Sequence, residues 1–349
     1  MTIENMTEES VRANIASKER SHSLTRRDFL KIFGLGTGAV IIGNTWLGEY
    51  MDGLEPKLEK IEDSLSEYKI TWQARPWVWI NLAIASKRID GVEISPGQEV
   101  SLNNLLGFDE MRSVSRENTN PEKGYVAAQM SNPSQLDGWG YGLCLGSTAI
   151  FRACLYSPLQ IIERGTHYDI YKDYFKDMPI GTDASIFKPD PGDLLPETDL
   201  KLKNPTNRPL SLHFRIYDAF GNKLEPPDGE ISEVWYKATY LDQIVRILRK
   251  KLDATTGLDL PRQFVPESVF GNQRIVVRSA VCGSGINYKV SLGPVKCGDS
   301  TYDPEYGTYD YIFTRSLTLD EGEKKRVIVE TFRSNYGKNP LNKGAIARP

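Results

Sequence analysis

Apolar positions along this chain switch between a spacing of three or four and strict alternation, and each switch marks an element. Leu54, Leu58, Ile61, Leu65 and Tyr68 recur at three and four, which predicts one apolar stripe on a charged helix. This reads as a spacer helix over 51–70, with a short coiled-coil stalk as the alternative. Thr71 to Ile89 opens with Trp72, Trp77 and Trp79 and then turns helical, with Asn81, Ala85 and Ile89 four apart. Short extended segments are expected at 89–94, 99–103 and 124–130. The run Gly138-Trp139-Gly140-Tyr141-Gly142-Leu143-Cys144 is a glycine-rich turn, and a helix follows from about Leu145 to Tyr156. Strands are predicted around 159–164, after the turn at 181–186, at 199–204 and at 210–217, where polar and apolar residues alternate as a half-buried strand requires. Beyond residue 230 a basic amphipathic helix, Tyr240 to Leu252, precedes four alternating runs at 274–281, 288–292, 309–317 and 325–332.

These elements predict an α+β chain. A mixed domain, in which the glycine-rich turn leads into a central helix packed on a mostly antiparallel sheet, is followed by a β-rich C-terminal portion. The organisation expected is a disordered segment at 1–24, an export segment at 25–50, the spacer at 51–70, the mixed domain at 71–229 and the β-rich portion at 230–349. The 349 residues are enough for one large domain or two modest ones. A net charge of -3 argues against a nucleic-acid partner, which usually calls for a basic excess.

The N-terminal segment reads as a targeting signal. Thr25-Arg26-Arg27-Asp28-Phe29-Leu30-Lys31 precedes a weakly apolar stretch diluted by Gly34, Gly36 and Gly38. Paired arginines followed by x-Phe-Leu-Lys resemble the twin-arginine export signal, with Arg26, Arg27, Phe29, Leu30 and Lys31 as the residues read. That route carries folded proteins, so the translocase that recognises the signal is an expected partner. No small-x-small cleavage site is evident after Ile42, so retention as a membrane anchor stands beside cleavage.

Chemistry has few places to sit, because the chain has only 3 His and 4 Cys. No phosphate-binding loop, metal cluster or cofactor fingerprint appears, and no cofactor or metal is expected. Cys144 at the start of a helix is the candidate nucleophile, since first-turn N–H groups and the helix dipole favour a thiolate. His167 is the imidazole placed to pair with it. Asp183 or Asp169 would orient that imidazole. Such a set supports acyl or amide transfer. Trp139 and Tyr141 form a candidate binding rim with Trp72, Trp77 and Trp79; the bland alternative is that these aromatics are core. His213 reads as a structural strand residue. Cys282 and Cys297 flank a predicted hairpin and form a candidate disulfide outside the cytoplasm.

One stretch of the chain resembles the VanW family. It is carried by Asn81, Ala85, Gly91, Pro96-Gly97, Ser101, Asn103, Leu106-Gly107, Gly124-Tyr125, Gly140-x-Gly142-Leu143-Cys144, Ser147-Thr148, Ala153, Glu163-Arg164, His167, Gly181-x-Asp183-Ala184 and Asp199-Leu200-Lys201-x-Lys203-Asn204, in order. The resemblance implies an extracytoplasmic envelope protein, of a family named for vancomycin-resistance clusters, with peptidoglycan or an envelope protein as partner. It implies no reaction. Here the family's Gln after the cysteine is Leu145, the first of its paired histidines is Gly165, and Tyr168 replaces a Ser. Those departures tilt the sequence reading toward a non-catalytic binding or structural module. A thiol-dependent acyl or amide hydrolase or transferase using Cys144 and His167 on cell-wall peptides is the alternative.

Overall fold

The computed structural model describes residues 56–111, 118–127, 140–167, 170, 172–189, 196–231, 273–297, 309–320, 322 and 324–336. Strand β1 (Ser64–Ala74) leads into helix α1 (Pro76–Ile89). Short strands β2 (Val92–Ile94) and β3 (Glu99–Ser101) and short helices α2 (Leu102–Leu105) and α3 (Phe108–Met111) follow. Helix α4 (Leu143–Leu155), β4 (Gln160–Arg164), β5 (Leu200–Lys203) and β6 (Leu210–Asp218) complete the middle of the chain. Then come β7 (Gln273–Cys282), β8 (Asn287–Leu292), β9 (Lys296–Cys297), β10 (Tyr309–Asp320) and β11 (Lys325–Tyr336).

The strands build three antiparallel sheets. The first has the order β1-β7-β6-β2, the second β3-β5-β4, and the third β11-β10-β8 with β9 also on β10. The α+β class is therefore as read from the sequence, with a β-rich C-terminal portion. The division at residue 230 is not. β7 pairs with β1 over Tyr68–Ala74 and with β6 over Ser211–Asp218, so a C-terminal strand lies in the middle of the first sheet. Pro56–Ser232 and Asn272–Pro349 accordingly make one compact unit. The amphipathic segment at 240–252 and the export segment at 25–50 lie outside the described residues.

The spacer helix is also corrected. Of its described part, 56–63 is irregular and Ser64 onward is strand. Only Leu65 and Tyr68 of the apolar stripe fall in β1, and a single pair does not fix a period. The run Tyr68, Ile70, Thr71 and Trp72 is rich in aromatic and β-branched residues and finds a ladder on β7, which decides for the strand. At 124–127 the expected strand is absent; the segment turns at Gly124, with a φ of 135°.

The core lies between the first sheet and the two long helices. α4 packs on β7 and β1, and α1 on β6. Ile80, Leu82, Ala83, Phe151, Phe214, Ile216, Ile275 and Val277 are essentially sealed from solvent. Gly146 lets the helix approach this closely: a Cβ there would lie 2.9 Å from Phe214 Cζ and 3.1 Å from Leu82 Cδ2. Trp79 is part of this core, at 4% exposure, whereas Trp72 and Trp77 are half-buried.

The cysteine pair Cys282 and Cys297 does not form a disulfide. Both are free. Cys282 closes β7 in the first sheet, buried with Ile61 and Ala280, while Cys297 sits exposed on β9 of the third. Two thiols held on different sheets, one facing in and one facing out, lack the short Cβ approach a bridge requires.

Candidate thiol site

Cys144 is the second residue of α4, and the turn before it is fixed from outside the helix. Gly140 and Gly142 have φ of 84° and 95°, backbone that residues with a side chain rarely adopt. Gly142 is also pressed against α1, where a Cβ would meet Val78 Cγ1 at 2.6 Å. The fully buried Asn81 bolts the turn down: its amide donates to Tyr141 O (3.2 Å) and Val126 O (3.1 Å), and its Oδ1 accepts from Val126 N (2.8 Å). Replacing Asn81 by Ala leaves these backbone groups unpaired in the core. We expect it to cost about 1–3 kcal/mol, read as a lower urea midpoint with unchanged slope.

From Cys144 a polar stripe runs down one side of α4. Ser147 Oγ donates to Ala184 O at 2.6 Å, and Thr148 Oγ1 both donates to Ala184 O and accepts from Ala184 N, at 3.0 and 3.1 Å. Arg152 Nε donates to Thr182 O at 2.9 Å and its Nη1 to Tyr68 Oη at 3.1 Å. Arg152 Nη2 reaches Tyr174 O. All three side chains are buried. Spacings of three, four and eight from Cys144 put them on one helical face, so the segment 182–186 is laid along the helix with Asp183 at a set height.

That segment brings the three predicted catalytic residues together. The Cys144 thiol and the His167 imidazole lie close enough to shift each other's protonation. His167 Nδ1 lies 2.6 Å from Asp183 Oδ2, which also accepts the His167 backbone N–H at 3.1 Å. With Nδ1 engaged by Asp183, Nε2 is the ring nitrogen left for the thiol. Cys144 Sγ further lies 3.7 Å from Ser185 Oγ and 3.6 Å from Ile186 O. Tyr174 stacks on the imidazole at 5.0 Å between centroids, and Trp72 on Tyr174 at 5.2 Å. Asp169, the other orienting candidate, and Trp139 lie outside the described residues. Tyr141 is half-buried beside the turn.

The surroundings favour charge separation. Burial pushes the Cys144 thiol up, but the His167 hydrogen bond and charge outweigh it, with smaller help from the Ile186 backbone and the Ser185 hydroxyl; the net direction is down. Burial opposes a charged His167, yet Asp183 and Cys144 together raise it to about 10. Asp183 is held down at about 2: burial opposes this, and His167, Arg164 and Tyr336 overcome it. A thiolate beside an imidazolium is the state these groups support. Cys154, by contrast, is fully buried, and that burial pushes it up to about 12, which leaves it inert.

Two of the positions where the sequence departs from the pattern it resembles are closely packed. Gly165 pairs with Ser185 so closely that a Cβ would lie 2.6 Å from Ser185 O and from Thr198 Cβ, so no second histidine fits there. Leu145 is buried, at 2% exposure. His213 is elsewhere, on β6, held by Asp90 Oδ1 at 2.9 Å in a cluster with Arg215 and Lys223. Among the described residues no group of three or more His, Cys, Asp or Glu is placed to hold a metal ion.

Arg152 and Tyr336 were not singled out from the sequence. Arg152 was legible, as a charged residue on the inner stripe of an otherwise apolar helix. Tyr336 had no local signal: it arrives from the third sheet and donates its hydroxyl to Asp183 Oδ1.

Comparison with known proteins places this site in a recognised region. No solved structure matches the chain significantly. The uncharacterized protein YoaR of Bacillus subtilis (strain 168) is 27% identical over 138 residues, which is 39% of this chain and 39% of the relative. The chain thus spans well under half the length of the curated relative it matches. Residues 79–221, which run from α1 through Cys144, His167 and Asp183 to the turn after β6, match the family described as VanW like protein.

Proposed function

We propose that this chain is an exported envelope protein whose VanW-like region carries a thiol-based acyl- or amide-transfer site. Cys144 is the nucleophile, His167 the acid–base and Asp183 the group that orients the imidazole. His167, held by Asp183 at 2.6 Å and near enough to Cys144 to lower its thiol, carries this reading. Leu145 and Gly165 favour a binding module; the geometry outweighs them, because the single surviving histidine completes the set. The Arg26-Arg27 signal supports delivery by the twin-arginine translocase to the outer side of the membrane, either cleaved or anchored. In that setting cell-wall peptides are the substrate class within reach.

The chemistry follows from the charges. The Cys144 thiolate adds to the carbonyl carbon of a peptide or amide, and the carbonyl electron pair moves to oxygen. As second residue of α4, Cys144 has its own N–H among the first-turn donors without an intrahelical acceptor, and this donor receives the oxyanion in place of the missing Gln amide. The C–N bond then breaks while the His167 imidazolium gives its proton to the departing amine, leaving a thioester. Water or an acceptor amine attacks the thioester carbonyl and passes a proton to neutral His167. The C–S bond breaks and the thiolate–imidazolium pair returns.

Alkylation of the purified chain by iodoacetamide tests this, with the Cys144 peptide followed by mass spectrometry apart from exposed Cys297. Cys144 is expected to react readily near pH 6, where an ordinary thiol is almost wholly protonated. His167→Ala should slow that reaction by about tenfold or more. Equal, slow labelling of both proteins would sink the thiol reading.

A further inference from the structure

We infer that Tyr336, which lies beyond the VanW-like stretch, is a positioning residue of the thiol site that holds the Asp183 carboxylate aimed at His167. The inference rests on the proposed thiol chemistry and gives the C-terminal sheet a part in it. β11 alternates outward and inward, with Glu330, Phe332, Ser334 and Tyr336 on the buried side. Tyr336 is the last of these, at 1% exposure, and its ring is gripped edge-on by Tyr311 (5.9 Å, 65°) and Phe175 (6.3 Å, 80°). The hydroxyl is therefore aimed by packing and donates to Asp183 Oδ1.

The division of labour on the carboxylate is clear. Oδ2 takes both donors of His167, the backbone N–H and Nδ1. Oδ1 takes Tyr336. With one oxygen pinned by Tyr336, the carboxylate cannot turn its other oxygen away from the imidazole. The third sheet braces the same segment twice more. Ser334 Oγ donates to Gly181 O at 3.1 Å, and Arg164 on β4 spans from Gly181 O (2.6 Å) and Asp183 O (3.0 Å) to Arg333 O (3.0 Å). The groups that face Asp183 are thus His167, Arg164 and Tyr336, with Cys144 one step behind the imidazole. Burial and the Asp183 charge both push the Tyr336 hydroxyl up, so it remains a donor throughout the working range.

Tyr336→Phe removes the hydroxyl and keeps the ring. Asp183 Oδ1 is then buried without its donor, so the site takes up its first proton more readily. The acid limb of the Cys144 alkylation profile should move up by about half to one pH unit, and the plateau rate should fall several-fold. In an Asp183→Asn background the same substitution should change neither, because its partner is gone. A 3-fluorotyrosine at 336 has a more acidic hydroxyl; it keeps the fold and should move the limb down, so the inference stays testable if Tyr336→Phe folds poorly. An activated wild-type thiol with an unmoved limb in Tyr336→Phe overturns the inference and leaves the thiol reading standing. A loss of rate that is equal in the Asp183→Asn background, at constant limb, marks Tyr336 as merely structural and also overturns it. A wild-type Cys144 that alkylates like an ordinary thiol overturns both.

Discussion

Asp183→Asn should slow Cys144 alkylation near pH 6 by one to two orders of magnitude while leaving the fold intact. The amide keeps the size of the carboxylate but carries no charge, and its NH₂ presents a donor where His167 Nδ1–H needs an acceptor. Oδ2 of Asp183 receives two donors, His167 N and Nδ1, at 3.1 and 2.6 Å, so both contacts are put at risk by one change. Without the charge the imidazolium loses its main support, and without the imidazolium the thiolate loses its own. An ordinary thiol, with a pKa near 8.5, is only about 0.3% ionised at pH 6. The lost ionisation alone approaches a factor of several hundred; the greater nucleophilicity of a more basic thiolate returns part of it. Turnover on any acyl substrate should fall further, because the wrong imidazole tautomer also fails as acid and base, an effect of about 10⁴-fold in the serine-protease case.

The same substitution has a stability signature whose sign can be worked out. Asp183 is held at about 2 in the fold, below the ordinary value near 4 of an unfolded chain. A carboxyl depressed in this way stabilises the fold fully above the unfolded value, and that contribution is lost as pH falls toward 2. Wild-type melting temperature should therefore drop through this acid window more steeply than that of Asp183→Asn. A variant with parallel melting curves across pH 2–5 would mean that the Asp183 carboxyl is not depressed in the fold.

Much of this site was legible because it depends on local pattern. Alternation placed β5, β6, β7, β8, β10 and β11 to within a few residues, and the glycine run placed the start of α4. Cys144, His167 and Asp183 stood out by residue type and order, since a scarce histidine and a cysteine at a helix start are visible without a fold. β1 was misread because the apolar stripe reaches only its first residues, Leu65 and Tyr68, and one pair does not fix a period; its ladder with β7 decides for the strand. That ladder joins residues some two hundred positions apart, which no window along the chain detects. The same distance hides Tyr336, whose partner Asp183 lies in another sheet's connection. The Cys282–Cys297 pair failed for the converse reason: nearness in sequence was read as a hairpin, whereas a sheet boundary falls between the two.

Arg315→Met is expected to be the most destabilising of these substitutions, at about 3–5 kcal/mol. Arg315 lies on β10 with no solvent exposure and forms an ion pair with the buried Glu330 on β11. Its Nε donates to Leu155 O at 2.8 Å and its Nη2 to Leu159 O at 2.9 Å, with Ser157 O as a further acceptor. Those carbonyls are at and just past the C-terminal end of α4, where a cation also meets the negative end of the helix dipole. Glu330 in turn accepts Ile161 N at 2.6 Å through its other oxygen. One guanidinium therefore fastens the third sheet to the helix that carries Cys144 and to the strand that leads to His167. Methionine fills the volume but leaves three carbonyls and one oxygen of the Glu330 carboxylate buried without donors, and an uncompensated buried charge is the dominant cost. Adding Glu330→Leu to Arg315→Met removes that charge, so the double variant should recover a large part of the loss in urea unfolding. Recovery of stability alongside a Cys144 thiol that still reacts slowly would show that the clamp, beyond holding the sheet, sets the height of Tyr336 and Asp183 against the helix. Full recovery of both would confine Arg315 to stability alone.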